Sequence, residues 1–582
     1  MHNREKCTMS KRPRYRGART HRRNPMRILL PVVILAVILV AAGIFIYARR
    51  YSPSKEKVNL NDYYGLQTSD EMYIIKNGTQ AGTNGYLEGD EGYVPISEVQ
   101  SGINGRFFWD PTEKVIRYVD GNNIISAAAD TKTYTVNKAQ KTAKYKIVEI
   151  RDDTAYLSLS FVKKYTNIRI SYFKKPNRVV LSDQWGKVKY RTVKRKTQIR
   201  AKGGYKSGVV AEVERGTKVT VQETYENWSA VCTEDGTVGY IQNRMLGSET
   251  TETFTSKFKA AEHAHITRTE PVNLVWHQVT NTSANSRIDD VLKKSPGINV
   301  VSPTWFYLND SKGGIQSYAS ASYAAACHKQ NVQVWALVSN LENSSVDTAK
   351  VLNTTSSRDQ LINNLVAQAI AANIDGINVD FEALKNSVGY GFIEFIRELS
   401  VKCSNNGLVL SVDNYPPSAY TGVYYRSEEA KFADFVILMA YDEHFKGSEA
   451  GSVSSLSYVE DSVTAMLKDV PADQLVLGLP FYTRLWETKG SGTPSCTTYG
   501  MEGARKLLKS VGVSAEWDDR TSQNYATYQK DGSTYQIWLE DARSLQTKLK
   551  VMQTKKLAGA AFWKSGYETS DVWSVISKYT AS

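Results

Sequence analysis

Beyond residue 270 the chain settles into a repeating rhythm, a short run of β-forming residues followed in most cases by a helical stretch. Eight such runs can be read: 273–279 (NLVWHQV), 298–306 (INVVSPTWF), 332–338 (VQVWALV), 374–382 (IDGINVDFE), 408–414 (LVLSVDN), 434–442 (DFVILMAYD), 474–482 (QLVLGLPFY) and 557–563 (LAGAAFW). Near-continuous apolar runs suit strands buried on both faces, and strands alternating with helices suit a parallel sheet. Eight units in about 315 residues predict an α/β fold, a (β/α)8 barrel over 267–582. The clearest helix is 358–373, with Leu361, Leu365, Val366, Ala369 and Ile370 on one face and Ser357 and Gln360 reading as a capping box. The interval 483–556 is too long for one crossover helix and predicts an α+β insertion that includes a strand at 535–541.

The fourth run ends in acids. Side chains alternate across a strand, so Gly376, Asn378, Asp380 and Glu382 share one face, while Ile377, Val379 and Phe381 share the other. Polar groups stacked inside an apolar barrel are costly unless they satisfy each other or perform a task. In such barrels the reactive groups gather where strands end, at the C-terminal face. Cleavage of a glycosidic bond needs a carboxylic acid to protonate the leaving oxygen. Two acids leaving one strand in the same direction approach a sugar from the same side, which disfavours a second carboxylate as nucleophile. The arrangement instead suits a substrate whose own N-acetyl oxygen closes on C1. Glu382 is then the acid and later the base, and Asp380 orients the amide.

At these residues the chain resembles glycoside hydrolase family 18. DGINVDFE matches that family's DxxDxDxE signature at Asp375, Asp380 and Glu382; MAYD (439–442), GLPFYTRLW (478–486) and GAAFW (559–563) match its later strands. The resemblance implies that Tyr441 holds the acetamido oxygen, that Met439 and Asp442 contact substrate, and that Trp563 floors the cleavage point. Asp375 reads as structural. One departure stands out: the signature's middle acid is Asn378, an amide that donates a hydrogen bond but cannot share a proton, and it is kept as a substrate-side contact. The Asn form, together with SPTWF (302–306), resembles the branch of bacterial cell-wall and spore-cortex lytic enzymes. Trp305, Phe306, Tyr415 and Trp486 fall at strand ends as candidates for stacking on sugar faces. Trp276 and Trp335 lie within strands and read as core. His444 either lines the cleft or does not, and Arg484 either binds a carboxylate or pairs with a loop acid.

The first half of the chain is built differently. Residues 28–47 carry no charge, long enough at about 1.5 Å per residue to cross a bilayer. Ten Lys/Arg and one acid precede them in 1–27, so this tail supplies most of the formal net charge of +14. That distribution predicts an uncleaved anchor with a cytoplasmic N-terminus and an extracellular remainder, the alternative being a cleaved signal peptide. It also argues against nucleic acid, because no basic stripe interleaved with aromatics occurs elsewhere. After a lead-out (48–62), VPISEV (94–99) parallels LSLSFV (157–162), and 103–119 parallels 166–181, each a short amphipathic segment and then a hairpin with a Pro-containing turn. This module, 63–185, resembles the N-terminal domain of copper amine oxidases. No histidine stands between positions 22 and 262, so no copper site carries over.

Residues 186–247 have turn signals at Gly203-Gly204, Arg215-Gly216 and Asp235-Gly236, and resemble a bacterial Src-homology-3-like domain, with Trp228 either core or ligand contact. A polar linker, 248–266, leads to the barrel. Five cysteines, at 7, 232, 327, 403 and 496, form no disulfide framework and read as buried structural residues. No metal-ligand spacing appears among the seven histidines, and no cofactor is expected. Together these features predict a membrane-anchored extracellular hydrolase cutting beside N-acetylglucosamine. Peptidoglycan is the favoured polysaccharide, chitin-type substrates remain open, and the small β domain is a wall contact. The alternative is a sugar-binding or scaffolding protein on the same barrel.

Overall fold

The computed structural model of the protein describes residues 26–580; residues 1–25, with most of the basic tail and Cys7, lie outside the described residues. All eight runs become parallel strands of one sheet. Strand one is Val272–His277, two Val300–Leu308, three Gln333–Ser339, four Gly376–Asp380, five Val409–Asn414, six Phe435–Met439, seven Leu475–Pro480 and eight Gly559–Trp563. Strand eight pairs with both seven and one, and one pairs with two, which closes the (β/α)8 barrel.

Alternation divides the strand residues into two sets. Val301, Val334, Val379, Val412, Leu438 and Phe562 pack outward against the helices. Leu274, Trp276, Trp335, Phe435, Ile437, Val476 and Ala561 fill the barrel interior. Gly376 is required by this filling: a Cβ there would stand 2.8 Å from the Val409 carbonyl oxygen and 2.9 Å from Trp335 Cδ1. The predicted insertion is present as five antiparallel strands between Tyr482 and Leu539, with the helix Met501–Val511 on them.

The helix read at 358–373 spans Thr355–Ala372, and two expectations about it fail. Ile370 is 59% exposed and lies off the buried face. The capping box of Ser357 and Gln360 does not form, because both lie inside the helix. The N–H groups of the first turn that have no partner within the helix are met from the amine-oxidase-like module instead. Asp110 Oδ2 accepts from the Thr355 N–H at 2.6 Å, and Glu113 Oε2 from the Ser356 N–H at 2.9 Å. Carboxylates at a helix N-terminus satisfy orphan donors and oppose the positive end of the macrodipole. Arg106 and Glu428 pair across the same contact at 2.5 Å.

In that module each half shows a short helix (Ile96–Gly102; Leu159–Lys164), then a hairpin turning near Pro111 or Pro176. The next unit is a seven-stranded antiparallel sheet. Its last strand, Leu246–Phe254, pairs with Gly186–Val193 and takes up the first seven residues of what reads as a linker in the sequence. Trp228 is 8% exposed, and its Cβ and ring carbons lie against Gly203. The apolar run lies within the helix Met26–Tyr51, the one helix among the described residues long and apolar enough to cross a membrane. Cys232, Cys327 and Cys403 are buried; Cys496 is only half-buried.

Candidate active site

The C-terminal ends of strands three to eight converge on a group of polar side chains that starts deep in the barrel. Asn378 is fully buried and makes four hydrogen bonds. Its Oδ1 accepts from the Trp276 indole N–H at 3.0 Å and the Ser302 hydroxyl at 3.1 Å. Its Nδ2 donates to Ser411 Oγ at 3.1 Å and Asp413 Oδ1 at 2.7 Å. An indole can only donate, so the amide orientation is fixed: oxygen toward Trp276, nitrogen toward Asp413.

Above it stands Asp380, 8% exposed, with its Oδ1 buried and without a hydrogen-bond partner. Burial, then the charges of Asp413, Glu382 and Glu342, hold this carboxyl well above the usual range. Strand four ends at Asp380, so Glu382 lies two residues beyond it rather than on it, and Ala383 follows in the left-handed region at φ +52°. Phe381 turns away and stacks on Phe395 of the helix Gly391–Asn405 at 5.5 Å. The backbone of Glu382 is clamped by Asn340, whose Oδ1 accepts from the Glu382 N–H at 2.8 Å and whose Nδ2 donates to its carbonyl at 3.0 Å. The Tyr415 hydroxyl donates to Glu382 Oε2. Burial raises the Glu382 carboxyl, the Tyr415 hydrogen bond pulls it down, and the Asp442 and Glu342 charges raise it; the net displacement is upward.

Tyr441 and Asp442 follow strand six, with Asp442 in the left-handed region at φ +58°. The Tyr441 phenol is raised by burial, then by Tyr482, Asp380, Asp413 and Glu382, which places it within electrostatic reach of all three acids. Asp442 Oδ1 accepts from Arg484 Nη1 at 2.6 Å and from the Tyr482 hydroxyl, so Arg484 pairs with a loop acid. Met439 is buried at the end of strand six beside Gly478. Trp563 ends strand eight, half-buried, its ring centroid 5.8 Å from that of Trp276. Asp375 lies at the opposite end of strand four, where Oδ2 takes the Val334 N–H and His328 Nε2, each at 2.8 Å.

Three aromatic expectations are corrected. Trp305 is wholly buried outside the barrel, its ring edge-on to Tyr323 at 5.0 Å and its N–H donated to Asn285 Oδ1 at 2.9 Å. It falls on the outward set with Val301, and an irregularity between Thr304 and Phe306 carries Phe306 into the helical layer as well. Trp486 is buried in the insertion, its N–H bound to the Gly451 carbonyl at 2.8 Å. His444 packs on Gly451. Four residues that the sequence reading passed over belong to the group: Asn340, Ser411, Asp413 and Tyr482. Ser411 and Asp413 alternate on strand five as Asn378 and Asp380 do on strand four, so the same reading would have found them. Among the described residues no group of three or more His, Cys, Asp or Glu could hold a metal ion.

A (β/α)8 barrel with a DxxNxDxE-type strand four and this polar group at its C-terminal face defines a class of sugar-cleaving enzymes. Residues 277–568 match glycosyl hydrolases family 18, and the chain belongs to that family. Residues 75–181 match the copper amine oxidase N-terminal domain and 193–247 the bacterial SH3 domain. A Bacillus subtilis protein named as an uncharacterized glycosylase, YvbX, is 24% identical over 283 residues, 47% of this chain and 82% of its own length. The cortical fragment-lytic enzyme of Bacillus subtilis is 26% identical over 260 residues, 43% of this chain and 60% of its own length. The spore cortex-lytic enzyme SleL of Bacillus megaterium has a solved structure that aligns with a TM-score of 0.48 at 20% identity, over 56% of this chain and 78% of that one. The chain is thus a family 18 glycosidase related to spore cortex-lytic enzymes and chitinases.

Proposed function

We propose that the protein hydrolyses β-1,4 bonds beside N-acetylglucosamine by substrate-assisted catalysis with retention, and that its substrate is peptidoglycan. The observation that carries this is the buried, unpartnered Oδ1 of Asp380 two residues from a raised, hydrogen-bonded Glu382. The orphan oxygen is matched to an amide N–H, and the raised acid is matched to a leaving oxygen.

Glu382 donates its proton to the bridging oxygen as the C1–O bond breaks, and the acetamido carbonyl oxygen closes on C1. Asp380 takes the amide N–H and offsets the positive charge of the ring that forms. The Tyr441 hydroxyl donates to the acetamido oxygen, and Trp563 supplies a flat apolar floor. Asp442 contacts the sugar, with Met439 closing the cleft from below. Glu382, now a carboxylate, then removes a proton from the water that opens the intermediate, and C1 is inverted twice.

Peptidoglycan is favoured over chitin because the relatives include cortical fragment-lytic enzymes and the chain carries a match to the bacterial SH3 domain. A helix fit to span a membrane, with the basic tail on its cytoplasmic side, would hold the barrel near the wall and raise its effective concentration there. In detergent, the full chain should release reducing ends from purified peptidoglycan strands. Glu382→Gln should lose about 10²–10⁴ in kcat while still binding sugar. A thiazoline mimic of the cyclised intermediate should inhibit. Equal turnover by both proteins, or an active enzyme indifferent to the thiazoline, overturns the reading.

A further inference from the structure

The acid on strand five, Asp413, belongs to none of the matched motifs, yet it lies in the middle of the site. Strands four and five run parallel in the register Asn378↔Ser411 and Val379↔Val412. One step further, Asp380 and Asp413 stand side by side on neighbouring strands, whose backbones are about 4.8 Å apart. Both point inward. Val379 and Val412 take the outward positions, and Asp413 Oδ1 is bound by the inward Asn378 amide at 2.7 Å. Asp413 is 2% exposed and Asp380 8%.

The groups that act on this pair from the surrounding elements are Glu382, Glu342 and the Asn378 amide, and none is a cation. Tyr441 faces both acids, Tyr415 and Tyr424 feel Asp380, and Glu429 behind strand five feels Asp413. Two adjacent carboxylates away from water and without a counter-charge cannot both be ionised. The Asn378 nitrogen favours a lone pair on Asp413 Oδ1, while the Asp380 Oδ1 has no donor at all. One proton shared between the two acids resolves the conflict, leaving a net charge of −1.

We propose that Asp413 is a positioning residue that shares a single proton with Asp380 and takes it during the reaction. This rests on the function proposed above. In the free protein the proton lies between the two carboxyls. As the substrate amide cyclises and positive charge develops, the proton moves fully to Asp413, so Asp380 faces the cationic ring as a carboxylate. When water opens the ring, the proton returns to the shared position. No proton enters or leaves the pair over a turnover.

The test uses the full chain in detergent. Asp413→Asn should lower kcat about a hundredfold on peptidoglycan strands with KM changed less than about threefold. The swap Asn378→Asp/Asp413→Asn keeps one acid and one amide in the hydrogen-bonded pair, with the acid on strand four two residues from Asp380. It should recover kcat to within about tenfold of the wild type. A second readout does not depend on turnover. The infrared difference between Glu382→Gln and Glu382→Gln/Asp413→Asn at neutral pH should show the loss of one protonated carboxyl. Should the single Asp413→Asn variant not fold, the swap carries the kinetic readout, and in the Glu382→Gln background its infrared spectrum should keep one protonated carboxyl, whose absence overturns the proposal. A kcat for Asp413→Asn within about threefold of wild type, a swap no better than the single variant, or no carboxyl in the difference spectrum overturns the proposal. A wild type inactive on every glycan, with the carboxyl difference present, sinks the substrate reading and leaves the shared proton standing.

Discussion

Tyr415 tunes the proton donor, and removing its hydroxyl tests that directly. Its O–H donates to Glu382 Oε2, a bond that favours the carboxylate and so opposes the upward push of burial. Tyr415→Phe leaves the ring in place and deletes the donor. A hydrogen bond to a charged acceptor contributes about 1.5–3 kcal/mol, and 1.36 kcal/mol corresponds to one pH unit. Tyr415 is half-buried rather than sealed, so the lower end applies and the Glu382 carboxyl should rise by about one unit. Glu382 must be protonated to donate, so the alkaline limb of kcat/KM on peptidoglycan strands should move up by about one pH unit. The acid is then weaker, and kcat at the optimum should fall several-fold. An alkaline limb that stays in place, or moves toward acid, refutes the assignment of this bond to the donor.

Two further predictions concern stability. Glu429 is fully buried, with Oε2 accepting from Asn414 Nδ2 at 2.6 Å; burial pushes its carboxyl from 4.5 up to about 8. Because the folded value is the higher one, this group's contribution to stability is whole below about 4.5 and is lost as pH rises through about 8. The thermal midpoint should therefore fall from pH 5 to pH 9, and Glu429→Gln should flatten that fall by an amount on the order of 4 kcal/mol; an equal slope in both proteins counts against a neutral buried Glu429. Asp110→Ala should lower the barrel's calorimetric transition by about 1–2 kcal/mol, because the Thr355 N–H loses its acceptor across the contact between module and barrel. A transition unmoved by Asp110→Ala but lowered by Thr354→Pro would show that the helix start matters and the cross-module cap does not.

The barrel was legible because its signal is local and redundant. Every one of the eight runs carries apolar residues at both parities, and only a strand covered on both faces needs that. Strand four was legible for the opposite reason: three polar groups at one parity have no bland explanation on a buried strand. What escaped the sequence has three separate physical causes. Parity fails where a strand is irregular, as at Thr304–Phe306, so Phe306 reads as a cleft aromatic and turns out to be core. An edge strand whose partner covers only its rim needs no apolar alternation, so residues 248–254 of the strand Leu246–Phe254 read as linker.

The third cause is distance along the chain. The donors at Thr355 and Ser356 are met by Asp110 and Glu113, about 240 residues earlier, and no local window holds both partners. Asp413 sits between these cases. Its parity with Ser411 was visible, but its meaning depends on the register that places it beside Asp380 rather than beside Asn378 alone. An acid on strand five is ordinary by itself. Next to a second acid, with an amide held nitrogen-first against it by an indole that can only donate, it leaves the pair a single workable state of protonation. The amide at position 378 and the acid at position 413 are therefore one feature divided between two strands, and substituting either alone should disturb the other.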